Sequence, residues 1–139
     1  MVGSAYNGQK RGMTANALTS VSLDSHMALI CIAKDSGCHA LIEKSARFSV
    51  SVLSEDQSEL SSRFADHDEV EVHRFLGVDH HIGANGNPLV DGAVAELDCT
   101  VGDRLHAGSH TVFVGEVTSA NVMSPEAPLV SYRSRYSKV

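Results

Sequence analysis

The sequence predicts a mainly β domain, a β-barrel with two short helices at its periphery, and three observations carry that reading. Residues 27–33 (MALICIA) form an uninterrupted apolar run of strand length, the pattern of a central strand covered on both faces. Phe48, Val50 and Val52 alternate with Arg47, Ser49 and Ser51, the period of two that marks a half-buried strand. From residue 89 onward, strand-like stretches at 93–101, 111–122 and 129–132 are separated by GDRLHAGS and SPEAP, which reads as antiparallel β.

Between these strands the helix signals are local. Asp35 or Ser36 can cap a helix of about three turns in which Ala40, Leu41 and Ile42 precede Lys44 in the last turn. Ser54 followed by Gln57 (SEDQ) matches a capping box, and Leu60 and Phe64 then fall four apart on one face, so a second helix should run to about Ala65. That spacing assigns Phe64 to the core. Residues 66–88, with Asp66, His67, Asp68, the His80–His81 pair and GANGNP, disfavour regular structure. A connection of that length in a compact domain is often functional. With no internal repeat, low-complexity tract or linker, residues 1–139 read as one domain. A small barrel uses most of its residues to close the sheet, so a ligand belongs at its rim or between subunits.

Composition narrows the function. The chain has 139 residues, 42% hydrophobic and 20% charged, ordinary globular usage with enough surface for one core. Eleven Lys and Arg against seventeen Asp and Glu give a net charge of −6, so no positive field exists to hold nucleic acid. Three widely spaced cysteines, Cys31, Cys38 and Cys99, form no CxxC pair, which argues against a disulfide framework and for a reducing, cytoplasmic setting. Residues 1–10 lack the apolar core of a secretory signal, and no run approaches the ~20 apolar residues of a membrane span.

Several chemistries lose support through missing motifs. The chain has no GxGxxG, no GxxxxGK[ST] and no GxSxG, which removes the Rossmann, P-loop and hydrolase signatures. Among the eight histidines, His106 and His110 are four apart, but Gly108 between them suggests a turn rather than one helix face, and a third and fourth ligand have no recognisable spacing. A metal protein using His80, His81, His106 and His110 therefore ranks far behind other readings, and no metal is expected. Cys31 and Cys99 lie in apolar strands and read as core residues rather than nucleophiles.

Residues 11–22, RGMTANALTSVS, are unusual: small and hydroxyl residues dominate a stretch that leads straight to the buried strand. Such residues let a backbone approach a planar ligand and offer hydroxyl and amide donors to its oxygens. A Thr- and Ser-rich β-hairpin is the equal alternative from these residues alone.

The same stretch resembles the flavin reductase-like family, whose members carry GMTxNxxxSVS before an apolar strand, a Lys-x-Ser phosphate contact and a later Gly-Asp-His. The likeness continues in order through AKDSGCHALI at 33–42, RFSVSVLSEDQSELSSRFA at 47–65, GNPLVDGAVAELDC at 86–99, HTVFVGEV at 110–117 and PLVSYRSRY at 128–136. The resemblance implies the FMN-binding split barrel, a Greek-key β-barrel that forms a homodimer with flavin at the subunit boundary. It also implies hydride transfer from NADH or NADPH to FMN or FAD, with the reduced flavin supplied to a partner monooxygenase. The rival function within that fold is a non-catalytic flavin-binding or electron-carrier protein.

Carried over by position, the resemblance places Met13, Thr14, Ala15, Asn16 and Ala17 along the isoalloxazine edge and Ser20 and Ser22 near the ribityl chain or phosphate. Lys34 and Ser36 match the phosphate contact, where an ammonium and a hydroxyl suit a dianion. His110 matches the family histidine beside the nicotinamide, able to orient substrate or donate a proton; a strand-edge histidine with a local hydrogen bond is its alternative. Tyr132 and Tyr136 fall where the family places aromatics near the ligand. Three features depart from the pattern. Members begin with a helix and a complete first strand before GMT, whereas residues 1–11 stand here; Ser25 and His26 replace a proline turn; and Ser109 stands where an acidic residue precedes the histidine. Loss of that carboxylate is expected to free the imidazole and lower catalysis more than binding.

Overall fold

The computed structural model describes residues 1–67 and 70–139. Its main element is a seven-stranded antiparallel sheet of β1 (Val2–Tyr6), β2 (Gln9–Met13), β3 (Leu18–Ser22), β4 (Met27–Ala33), β5 (Arg47–Val52), β8 (Ala95–Ala107) and β9 (His110–Val122). The order across the sheet is β2-β1-β5-β8-β9-β4-β3. β2 and β3 thus lie at opposite edges, yet only residues 14–17 join them. Laid flat, six interstrand gaps of ~4.8 Å would part the edges by about 29 Å. The five Cα steps from Met13 to Leu18 reach roughly 18 Å at most. The sheet must therefore curl into a barrel, with the 14–17 connector as its seam.

Two helices and two small ribbons close the ends: α1 (Gly37–Ser45), α2 (Ser58–Ala65), β6 (His80–Ile82) paired with β7 (Pro88–Val90), and β10 (Val130–Tyr132) paired with β11 (Arg135–Ser137). A 3-10 turn spans Glu71–His73. Ser36 caps α1, its hydroxyl accepting from the His39 N–H at 3.1 Å, and Ala46 ends it at φ 54°. Only half of the capping box forms before α2: Gln57 Oε1 accepts from Ser54 N–H at 3.0 Å, and the helix begins at Ser58. Met27–Ala33 is a strand as read, but its inward residues Ala28, Ile30 and Ile32 are buried while the other face is only half-covered, and it sits next to an edge.

The core fills the barrel. Ile30, Ile32, Ile42, Phe48, Val50, Cys99 and Phe113 pack together, and a second cluster of Leu53, Phe64, Phe75 and Val90 lies beneath α2. The Phe64 and Phe75 rings meet edge to face at 5.0 Å. β2's outer edge is covered by this second layer: the buried Arg74 guanidinium donates to the Gly12 carbonyl at 3.1 Å, and Phe64 lies against Gly12. Burial pushes the Cys38 and Cys99 thiols up to about 12, as inert core groups require.

β5 is buried on both faces rather than half-buried. Ser49 and Ser51 turn inward and serve as backbone partners for β7: Ser49 Oγ donates to Pro88 O at 2.5 Å and Ser51 Oγ accepts from Val90 N–H at 3.0 Å. The region read as irregular at 66–88 thus contains a strand, β6, whose return to β7 is the GANGNP turn. Asp98 holds that turn, accepting from the backbone N–H groups of Ala84 and Asn85. Asp68, part of the same reading, lies outside the described residues.

His81 fastens the ribbon to the barrel. Its Nδ1–H donates to Asp91 at 2.6 Å and its Nε2–H to Glu96 at 3.2 Å. Both nitrogens need protons for this, so the Asp91 hydrogen bond, opposed by partial burial, raises the imidazole above its usual 6.5. A raised folded value means stability present below pH 6.5 and lost as pH climbs through the higher folded value. The imidazole is 43% exposed, so the contribution stays under about 1 kcal/mol. We expect Asp91→Asn to lower urea stability measurably at pH 6 and hardly at pH 8.5; equal losses at both pH values would remove the charge contribution.

Candidate functional site

The seam builds a cleft. Thr14 ends β2 and is tied to α2, its N–H donating to Phe64 O at 3.0 Å and its hydroxyl to Ser61 O at 2.6 Å. Ala17 is tied to β4, its carbonyl accepting from Cys31 N–H at 3.1 Å. Between these anchors the N–H groups of Ala15 and Asn16 have no partner among the described residues. Both residues line a cleft of about 440 Å³ together with Thr14, Leu18, Val52, Ser61 and Tyr136. That volume lies within the roughly 300–1,000 Å³ of small-molecule sites. A planar, oxygen-bearing ring system fits a wall of this kind, where free backbone donors meet apolar carbons.

The other sequence-derived residues fall into three groups. Met13 is half-buried against the barrel core, as is Ala15. Ser20 and Ser22 line a second cleft of about 480 Å³ with Leu18, Leu23, Met27 and Val117. Lys34, Ser36 and His110 meet at the far end of β4: Ala33 pairs with His110, and Lys34 N–H donates to Ser109 O at 2.9 Å. Ser22 pairs with Met27, six residues from Ala33, or about 20 Å at a strand's rise. Lys34 and Ser22 therefore flank opposite ends of one strand, whereas the 15–17 connector lies at the Lys34 end.

The individual groups differ in what they leave free. The Lys34 ammonium is exposed and has no partner among the described residues. Ser36 Oγ is engaged twice, accepting from His39 N–H and donating to Ala33 O at 2.9 Å. Tyr136 donates its hydroxyl to Ser61 Oγ at 2.9 Å and so closes one side of the seam cleft. Tyr132 is 64% exposed with the Arg133 guanidinium 5.3 Å over its ring. His110 Nδ1 meets Ser109 Oγ at 2.9 Å, so the residue that replaces the family's acid still gives the imidazole an orienting partner, without a charge.

Among the described residues, no three His, Cys, Asp or Glu side chains converge as metal ligands do. His80 instead lies between Lys10 Nζ at 2.7 Å and Val78 O at 2.7 Å. Residues that sequence reading passed over include Ser61, Val52 and Leu129 of the cleft wall. Ser61, one of three serines in SELSSRFA, carries no signal of its own until tertiary packing brings the seam beside it.

The chain is an antiparallel barrel whose β2–β3 seam opens into a cleft of small-molecule size, the split-barrel class of protein. The flavin reductase-like domain model matches residues 1–139, and the chain belongs to that family. It is 43% identical over 114 residues to an NADH-dependent FAD reductase of Streptomyces globisporus, covering 81% of this chain and 63% of that one. It is 35% identical over 136 residues to the reductase component of a 4-nitrophenol monooxygenase of Rhodococcus opacus, covering 98% and 71%. The structure of the S. globisporus C-1027 NADH:FAD oxidoreductase with NAD and FAD fragments superposes with a TM-score of 0.91 at 37% identity, over 99% of this chain and 82% of that one. The chain thus spans slightly less than two thirds of one of these relatives' length. No helix among the described residues is long and apolar enough to cross a membrane.

Proposed function

We propose that this chain is an NAD(P)H-dependent flavin reductase that takes FMN or FAD and supplies reduced flavin to a partner monooxygenase. The observation that carries the reading is the seam cleft, lined by Ala15 and Asn16, whose N–H groups have no partner among the described residues, together with apolar Leu18, Val52 and Leu129. Relatives named as an FAD reductase and as a monooxygenase reductase component support it. When bound, flavin supplies the hydride-accepting chemistry, and nicotinamide supplies the hydride.

The chain's own residues divide the remaining work. The 15–16 backbone donors hold the ring edge, and Tyr136, fixed by Ser61, limits one side of the cleft. Lys34 offers an unpaired ammonium to a phosphate. His110, hydrogen-bonded to Ser109 beside Lys34, is assigned to steer the nicotinamide or hold a proton. We expect Lys34→Ala to weaken FMN binding by ~1.5–3 kcal/mol, tenfold or more; unchanged affinity in fluorescence titration would take Lys34 out of the site.

We further propose that the protein works as a cytoplasmic homodimer. Leu18 and Val21 of β3 and Leu23 just after it are 39, 51 and 80% exposed, and this edge strand has no partner on its outer side among the described residues. All three cysteines are free thiols, which suits a reducing compartment. The reductase reading is tested by mixing protein with FMN or FAD and NADH or NADPH without oxygen and following loss of oxidised flavin absorbance. Protein-dependent bleaching over many turnovers supports it; flavin binding with no bleaching by either nicotinamide makes the protein a flavin carrier.

A further inference from the structure

Thr111 is fully buried at the start of β9, next to exposed His110. Its Oγ1 meets His39 Nε2 of α1 at 2.8 Å and His106 Nδ1 of β8 at 3.2 Å. One hydroxyl has one proton and two lone pairs, so it can donate to one imidazole while accepting from the other. The His39 backbone N–H is in turn held by Ser36, and Lys34 N–H is held by Ser109 O. These bonds close a ring. The turn that carries Lys34 and Ser36 and the strand end that carries His110 are joined both through Lys34–Ser109 and through Ser36–His39–Thr111.

We infer that Thr111 is a positioning residue whose hydroxyl, through His39, fixes His110 relative to the Lys34–Ser36 turn. The assignment rests on the reductase reading for its purpose but not for its geometry. Ladder pairing with Ala33 and Ala107 fixes the His110 backbone, but the imidazole itself is loosely held: residues 102–110 are all exposed, and its ring hydrogen bond among the described residues is to Ser109. A buried hydroxyl between two rings, with α1 on one side and the hairpin on the other, removes the slack that solvent exposure leaves. His39 also packs on Phe113, ring centroids 5.4 Å apart, so the tie is anchored in the core rather than in another loop.

The test compares Thr111→Val, which keeps shape and loses the hydroxyl, with Thr111→Ser, which keeps the hydroxyl. Imidazole ¹H–¹⁵N spectra of the free protein give the first readout. Thr111→Val should release His39 from one tautomer and also shift the His110 ring signals, whereas Thr111→Ser should restore both. His110 signals that stay in place in Thr111→Val overturn the inference whether or not the protein turns over. Kinetics give the second readout: Thr111→Val should lower kcat about tenfold with little change in FMN affinity, Thr111→Ser should recover it, and Thr111→Val should add nothing in a His110→Ala background. The same loss in both backgrounds assigns Thr111 to general packing and overturns the inference. A wild-type protein without reductase activity that still shows the coupled His110 shift rejects the reductase reading and leaves the coupling standing.

Discussion

On the proposed reductase reading, replacing His110 with alanine is expected to lower kcat for flavin reduction by about 10²-fold, the lower end of what a positioned acid or base contributes, and to leave FMN affinity within a factor of two. The lower end applies because the imidazole's partner is the neutral Ser109 hydroxyl at 2.9 Å rather than a carboxylate. Its ring lies on the outer face of the β8–β9 ribbon and makes no contact in the core, so the variant should unfold at the wild-type urea midpoint. Stopped-flow bleaching of FMN by NADH under anaerobic conditions reads the effect directly. A His110→Ala variant with wild-type kcat would assign His110 to a strand-edge contact with Ser109 and nothing more.

Phe48→Ala produces the largest loss of stability, about 3–5 kcal/mol. The ring is fully buried in the barrel, and it lies so close to β9 that a Cβ on Gly115 would stand 2.7 Å from its Cε1. Gly115 and Phe48 are therefore matched: the strand passes over the ring only because the glycine has no side chain. Removing the ring leaves a hole between β5, β9 and Cys99 that neighbouring strands cannot fill without breaking their ladders. Urea unfolding followed by circular dichroism measures the loss; a change below about 1 kcal/mol would mean the barrel collapses around the gap.

The strands that read well from sequence are those whose pattern reports one environment. Met27–Ala33 and Phe48–Val52 are strands at the expected residues because alternate apolar side chains, Ala28, Ile30 and Ile32 in one and Phe48 and Val50 in the other, face one core. The errors have physical causes. Ser49 and Ser51 look solvent-facing in an alternating pattern, yet they are buried as partners of the β7 backbone; no local signal distinguishes a serine that meets water from one that meets a carbonyl. GDRLHAGS reads as a break, but β8 continues through Asp103 to Ala107 with a register shift at Gly102, and only Gly108 and Ser109 turn. Polar residues on a ribbon exposed on both faces are permitted in a strand, and Gly102 marks a bulge rather than an end. Asn7–Gly8, with φ of 49° and 74°, is the tight turn between β1 and β2, and the Asn-Gly pair is the local hairpin signal in a stretch whose polarity otherwise suggests no strand.

The site was legible in part for the same reason. RGMTANALTSVS holds both answers that its composition allowed: residues 14–17 form a backbone cradle, and Leu18–Ser22 form a strand paired with β4. What composition could not convey is that these two halves face separate clefts divided at Leu18, because that division depends on how the sheet curls. His39 and Thr111 carried no motif of their own; their meeting needs α1 folded onto the ribbon.

The two rims of the seven-stranded sheet are unequal. Arg74, Phe64 and Phe75 cover the Gly12 end of β2, while β3 has no strand on its outer side among the described residues. A sheet with a single usable rim can grow in one direction only. When two such rims meet about a twofold axis, each satisfies the other and nothing remains to recruit a third chain. The sealing of β2 therefore leaves β3 as the rim through which this sheet can add a strand, a geometry that favours pairing over open-ended growth.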